Sequence, residues 1–253
     1  MTRSHENITF PNPPIKEAIL DIRVNLPEET GLEQLETYHD EIKGRFPKKE
    51  KRFVWEGKIE FKKEEIQPAI EAPPSRHDGF LFRSEDGSKV VQARLDGFTF
   101  NKLKPYDNWE SFSSEGRGLW DHFVRIAKPK NVIRLALRYI NRIEIPLPLE
   151  KIQDYILTFP QVASGIPNKL SNFLVRLEIP NPEIQAKAVV TETMETIPPS
   201  GEFLPFIFDI DVIRTDVLEP TAPAIWQIME ELRGFKNSIF LKSITEKTKE
   251  MFK

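Results

Sequence analysis

The chain of 253 residues carries 36 Lys and Arg against 39 Asp and Glu, a net charge of −3, and 39% of it is hydrophobic. That is enough apolar material for one large core or two modest ones, and too even a charge for a general pull toward nucleic acid or anionic lipid. There is no cysteine, which excludes disulfides, thiolate nucleophiles, zinc ribbons and iron–sulfur ligation together.

In chain order, Met1 to Phe10 lacks an apolar segment behind its charges, and no run of about eighteen apolar residues follows anywhere. A cytoplasmic protein with no membrane partner is therefore expected. Pro11-Asn-Pro-Pro14 forces extended backbone and leads into a strand from Ile15 to Val24, with Ala18, Leu20, Ile22 and Val24 on one face and Asp21 and Arg23 on the other. Leu32, Leu35, Tyr38, His39 and Ile42 then recur at helical spacing and predict a helix of about four turns, closed before Pro47. The basic run Lys48 to Arg52 reads as a solvated loop, and Phe53, Trp55, Ile59 and Phe61 as one face of a strand with a bulge at Gly57. Glu64 to Asp78, with three prolines, reads as a loop. Short strands at Gly79 to Arg83, Lys89 to Leu95 and Phe98 to Leu103 are separated by hairpin turns at Glu85-Asp-Gly87 and Asp96-Gly97. Asn108 is placed to cap a helix from Trp109 to Ile126, which Gly116 and Gly118 weaken.

The central run Val132 to Ile145 has the clearest pattern. Ile133, Leu135, Leu137, Tyr139, Ile143 and Ile145 alternate with Arg134, Arg138, Arg142 and Glu144, which is strand periodicity with an arginine-bearing face. The run is long for a strand, so a bend or bulge is expected, at Asn141, the polar residue on the apolar face. Leu149, Ile152, Tyr155, Ile156 and Phe159 then predict a helix ending at Pro160. Strands follow at Phe173 to Ile179, Ile184 to Thr193 and Leu204 to Ile213, the last turning Asp209 and Asp211 away from its apolar face. Thr221-Ala-Pro223 opens a helix carrying Ile225, Ile228, Met229 and Leu232, and Ser243-Ile-Thr-Glu246 has the form of a capping box for a short final helix.

These elements describe an α+β protein, mainly antiparallel sheet with long helices on one side, folded as one compact unit. Strand, helix, strands and long helix recur in order from about 14 to 128 and from 132 to 253, as in an internal duplication.

Three stretches carry a resemblance. Pro13-Pro-Ile-Lys-Glu-Ala-Ile-Leu-Asp-Ile-Arg23, Leu137-Arg-Tyr-Ile-Asn-Arg-Ile143 and Ile239-Phe-Leu-Lys-Ser-Ile-Thr-Glu-Lys-Thr-Lys-Glu-Met-Phe252 together resemble a sporadically distributed bacterial and archaeal family of uncharacterised proteins. The match spans essentially the whole chain and implies no catalytic residues. The repeated element order is also similar to the TATA-box-binding-protein type of saddle, whose single-copy relatives include helix-grip ligand-binding domains; that is a likeness of shape alone.

The candidate binding residues lie on the polar sheet face: Arg134, Arg138 and Arg142, with Arg23, Asp209 and Asp211, and beside them Asp21, Arg176 and Glu178. Arginine forks there could take a carboxylate, a phosphate or a protein partner; equally, the charges could pair among themselves. Asp209 and Asp211 form an Asp-x-Asp pair that could ligate Mg²⁺, but further ligands are lacking, and His5, His39, His77 and His122 have no metal or triad spacing. No phosphate-cradling loop or nucleophile elbow occurs. Neither cofactor nor metal nor catalytic residue is expected. The sequence therefore points to a non-enzymatic binding or assembly protein acting on a protein partner or a second copy through the mixed-charge face. The alternative is a small-ligand-binding or hydrolytic domain with a cavity between sheet and helices, and nucleic acid is disfavoured.

Overall fold

A computed structural model describes residues 10–55, 75–161, 163, 165 and 172–253. The first half supplies β1 (Ile15–Asn25), α1 (Leu32–Glu36), α2 (Tyr38–Ile42), β2 (Lys48–Trp55), β3 (Ser75–Arg83), β4 (Lys89–Arg94), β5 (Gly97–Leu103) and α3 (Trp109–Ala127). The second supplies β6 (Asn131–Pro146), β7 (Leu174–Asn181), β8 (Ala186–Met194), β9 (Phe203–Leu218), α4 (Ala224–Ser243) and α5 (Glu246–Glu250). All nine strands form one antiparallel sheet in the order β2-β3-β4-β5-β1-β6-β9-β8-β7. The α+β expectation holds. The central run lies beside the middle strand β1: β6 pairs with β1 on one side and β9 on the other.

Register explains the two faces. Leu20 lies opposite Phe100 and Leu137, Leu137 opposite Val212, and these side chains join those of the helices in one buried core. The adjacent residues therefore turn to the opposite, polar face. Asn108 caps α3 through the Ser111 amide at 2.8 Å. Gly116 lets that helix approach the sheet, since a methyl group there would sit 3.2 Å from Leu20 and 3.4 Å from Phe100.

Several sequence expectations change. The helix over Leu32 to Ile42 is two short helices broken at Thr37, whose hydroxyl and amide both bond the Gln34 carbonyl and tighten the turn. The run Lys48 to Arg52 is not a loop but most of the edge strand β2, and Ser75–Asp78 belongs to β3, with a register shift where Arg52 and Phe53 meet it. Gly57, Ile59, Phe61 and the stretch from 64 to 74 lie outside the described residues.

In β6 an irregularity does fall at Asn141, but the extra residue is Lys16 on β1: Ile15 pairs with Asn141 and Glu17 with Ile140. A second shift near Arg134 reverses the alternation, so Val132 is buried in place of Ile133. The helix expected from Leu149 to Phe159 is a single 3-10 turn at Ile152–Asp154. Tertiary bonds replace the missing helical ones: the Tyr155 carbonyl accepts from the Thr245 amide and the Thr248 hydroxyl, and the Leu157 amide donates to Ser243. The final cap is Thr245 and not Ser243, which is still the last residue of α4. Among the described residues the two halves thus share their order only in part, the second having a turn where the first has helices, and one strand fewer.

Candidate functional site

On the polar face, the structure brings the predicted residues together and pairs them with one another. Asp21 is the hub: its carboxylate accepts from Arg94 (2.7 Å), Thr99 (2.8 Å), Arg134 (2.8 Å) and Arg23 (3.2 Å). Burial by itself would raise the Asp21 pKa, but Arg94 and Arg23 outweigh it and hold the carboxyl below its usual range. Arg138 makes a two-pronged bond to Asp209 at 2.8 and 2.6 Å, although Asp211 is its cross-strand neighbour. That bond raises the Arg138 pKa further. Arg142 bonds Glu195 at 2.9 Å and also Glu144. Asp211 is the least compensated: Arg134 is 3.9 Å away, and burial lifts its pKa despite Arg134 and Arg138. Arg176 and Glu178 pair with each other at 2.9 Å on the outer strand β7.

The arrangement is a charge lattice in which the arginine forks are already filled. Asp209 is the counter-charge of Arg138 and Asp211 lies nearest Arg134; among the described residues no cluster of three or more His, Asp or Glu side chains is placed to hold a metal ion. The histidines are dispersed. His39 stacks on Phe82 and bonds the Phe46 carbonyl, His77 bonds Gly79, and His122 faces Glu41 at 3.0 Å; His5 lies outside the described residues.

The other side of the sheet holds a different kind of site. A cleft of about 100 Å³ opens between the start of α3, the middle of α4 and the centre of β6, lined by Tyr106, Trp109, Tyr139, Asn141, Lys236 and Phe240 among others. Lys236 is 9% exposed, and its ammonium sits 3.8 Å from the centre of the Tyr139 ring. Among the described residues no carboxylate pairs with it. Burial first, and the nearby Arg233 charge second, lower its pKa to about 7. The face of the Tyr139 ring compensates the charge in part.

The neighbouring charges are committed elsewhere. Arg233 bonds Glu230 at 3.2 Å, approaches Glu110 at 3.8 Å and lies over the Trp109 ring, while the Trp109 indole donates to Glu230. Tyr106 and Tyr139 share a hydroxyl–hydroxyl bond of 2.8 Å, and burial raises both, Tyr106 to about 12. One of these hydroxyls must donate to the other, which leaves one proton for a third group. Asn141 is tied to the Phe208 carbonyl at 3.0 Å, so it frames the cleft and does not reach into it as a free donor.

The sequence reading missed Lys236, although a signal was available. It lies four residues beyond Leu232 on the stripe of Ile225, Met229 and Leu232, and Ile239 and Phe240 continue that buried side. A lysine at a core position of an amphipathic helix is the clue. Glu192 is its counterpart in the sheet, taking the inward position after Ala188 and Val190; it is fully buried and neither oxygen has a hydrogen-bond partner among the described residues.

No helix among the described residues is long and apolar enough to cross a membrane. No family model matches this sequence, and no curated protein matches it.

Proposed function

We propose that this protein binds a small carboxylate-bearing ligand in the cleft between α3 and α4, with Lys236 as its anchor. The observation that carries the reading is a lysine nine-tenths buried, with no carboxylate partner among the described residues, lining a cleft. Burying such a charge is costly, and a ligand anion would supply the missing counter-charge. The free proton of the Tyr106–Tyr139 pair adds a neutral donor, and Trp109 and Phe240 offer apolar walls. The cleft of about 100 Å³ is smaller than the engineered cavity of about 150 Å³ that accepts benzene, so it takes the carboxylate and a small apolar part of a ligand whose remainder extends from the open side.

Binding fits the residues better than hydrolysis does. The tyrosine hydroxyls stay protonated, and the described lining residues include no serine or histidine to form a nucleophile and base pair. The mixed-charge sheet face supports a partner-binding reading less well, because Arg134, Arg138 and Arg142 already commit their forks to carboxylates of their own chain.

The test is a titration of small aliphatic and aromatic monocarboxylates and their neutral amides, followed by calorimetry and by the tryptophan fluorescence of the protein beside a Trp109→Phe variant. Carboxylates should bind and amides should not, and Lys236→Met should weaken binding at least tenfold. Affinity should fall as pH rises above about 7, where Lys236 loses its proton. Equal binding of acids and amides, or full affinity in the methionine variant, would overturn the reading.

A further inference from the structure

The two edges of the sheet are built differently. β2, at one end, presents Lys48, Lys49, Glu50, Lys51 and Arg52 in succession, and dense charge on an edge strand opposes pairing with another chain. β7, at the other end, is exposed at every residue from Arg176 to Pro180, yet its apolar residues are large: Leu174 is 72% exposed, Leu177 37% and Ile179 36%. With Arg176 and Glu178 on the polar face, alternation puts Val175, Leu177 and Ile179 on the core side. The register agrees on direction, since Leu177 pairs with the buried Val190 and Ile179 with the buried Ala188. The side chains point to the core side of the sheet at a place that the described core residues do not cover.

We infer that β7 is the seam of a symmetric dimer, in which a second copy of this chain adds its own β7 antiparallel to the first. This goes beyond ligand binding in the cleft and does not depend on it. The occupant is read from the strand itself, which is self-complementary about Leu177. In an antiparallel pairing centred there, Arg176 lies opposite Glu178 of the other copy and Glu178 opposite its Arg176, while Val175 meets Ile179 and Leu177 meets Leu177. A two-fold interface requires this kind of reciprocity. On the polar side two arginines and two glutamates alternate. On the core side six apolar side chains, three from each copy, cover one another. Pro180 falls opposite Leu174 at either end and limits the seam to the residues between, because it has no amide proton to extend a ladder.

Sedimentation velocity across a concentration series tests this on the intact chain. The wild type should show a reversible dimer. Leu177→Lys, which sets two ammonium groups against each other on the axis, should be monomeric with an unchanged circular dichroism spectrum. Arg176→Glu should weaken the dimer at least tenfold, and the exchange Arg176→Glu with Glu178→Arg should restore it, because the exchanged strand is again self-complementary; loss of folding could not produce that rescue. Lys49→Glu on β2 should leave the dimer intact. A wild type monomeric at all concentrations would overturn the proposal, as would a dimer indifferent to Leu177→Lys. A monomer that captures an unrelated extended peptide along β7 would likewise refute self-pairing.

Discussion

The two sides of this sheet treat charge in opposite ways. On the polar face, buried or half-buried ions sit in a closed lattice: Asp21 with Arg94, Arg134 and Arg23, and Arg138 with Asp209. On the core side, Lys236 and Glu192 are buried with no counter-ion among the described residues. A charge that is buried and answered is architecture. One that is buried and unanswered carries a standing cost, and where it also lines a cleft, as Lys236 does, a ligand can relieve that cost. The density of arginine on β6 is therefore a weaker guide to function than the isolation of one lysine on α4.

The largest expected effect breaks the answered side. Asp21→Ala removes four donors' acceptor and leaves Arg94, whose side chain is 4% exposed, without its main partner; the loss should be about 3–5 kcal/mol in chemical denaturation. Because the folded-state pKa of Asp21 is depressed, the wild type's advantage should be full above the ordinary carboxyl range and disappear as pH falls through the folded value. A loss below about 1 kcal/mol would place Asp21 among ordinary surface pairs.

The unanswered side should respond with the opposite sign. Burial raises the Glu192 pKa from 4.5 to about 7, so its ionisation penalises the fold. The penalty is absent at pH 4, grows between pH 4.5 and about 7, and is complete above that. Glu192→Gln should accordingly gain on the order of 2 kcal/mol at pH 8 and close to nothing at pH 4. Lys236 mirrors it. Its folded pKa lies below the unfolded one, so the penalty is absent above pH 10.5 and complete below about 7. Lys236→Met should gain about 1–2 kcal/mol at pH 6 while losing the carboxylate ligand, the mark of a residue kept for binding and not for stability. A destabilised methionine variant would mean that the Tyr139 contact outweighs desolvation.

What could be read in advance follows from which forces are local. Period-two alternation located β1, β6 and β9 and their polar face, because a strand's side chains point where the chain alone dictates. Asn108 and Thr245 cap their helices through bonds within three residues, and the Asn108 cap was legible for that reason. The segment from Leu149 to Phe159 was not. Its apolar spacing suits a helix, but its backbone bonds go to Ser243, Thr245 and Thr248, about ninety residues away. The candidate site was split in the same way. Arg134, Arg138 and Arg142 announce a shared face by their spacing, whereas the partners that fill them, Asp21, Asp209 and Glu195, come from other strands or from beyond a strand's end. Lys236 meets Tyr139 only when α4 settles over β6.

The smallest expected effect sharpens the contrast within the arginine face itself. Arg138 is the arginine with the best bond geometry, yet its side chain is 43% exposed, against 4% for Arg94. Water screens the exposed guanidinium, although the Asp209 carboxylate it would leave behind is 14% exposed, so Arg138→Ala should cost about 1 kcal/mol and the cost should shrink in high salt. Asp21→Ala should keep most of its effect in the same salt, since its pairs are enclosed. If Arg138→Ala instead proved as damaging as Asp21→Ala, exposure would not be what separates the two, and the inner lattice would extend across β9. If it left stability untouched but abolished association with another molecule, the arginine face would regain its claim as a binding surface and the cleft would have to share it.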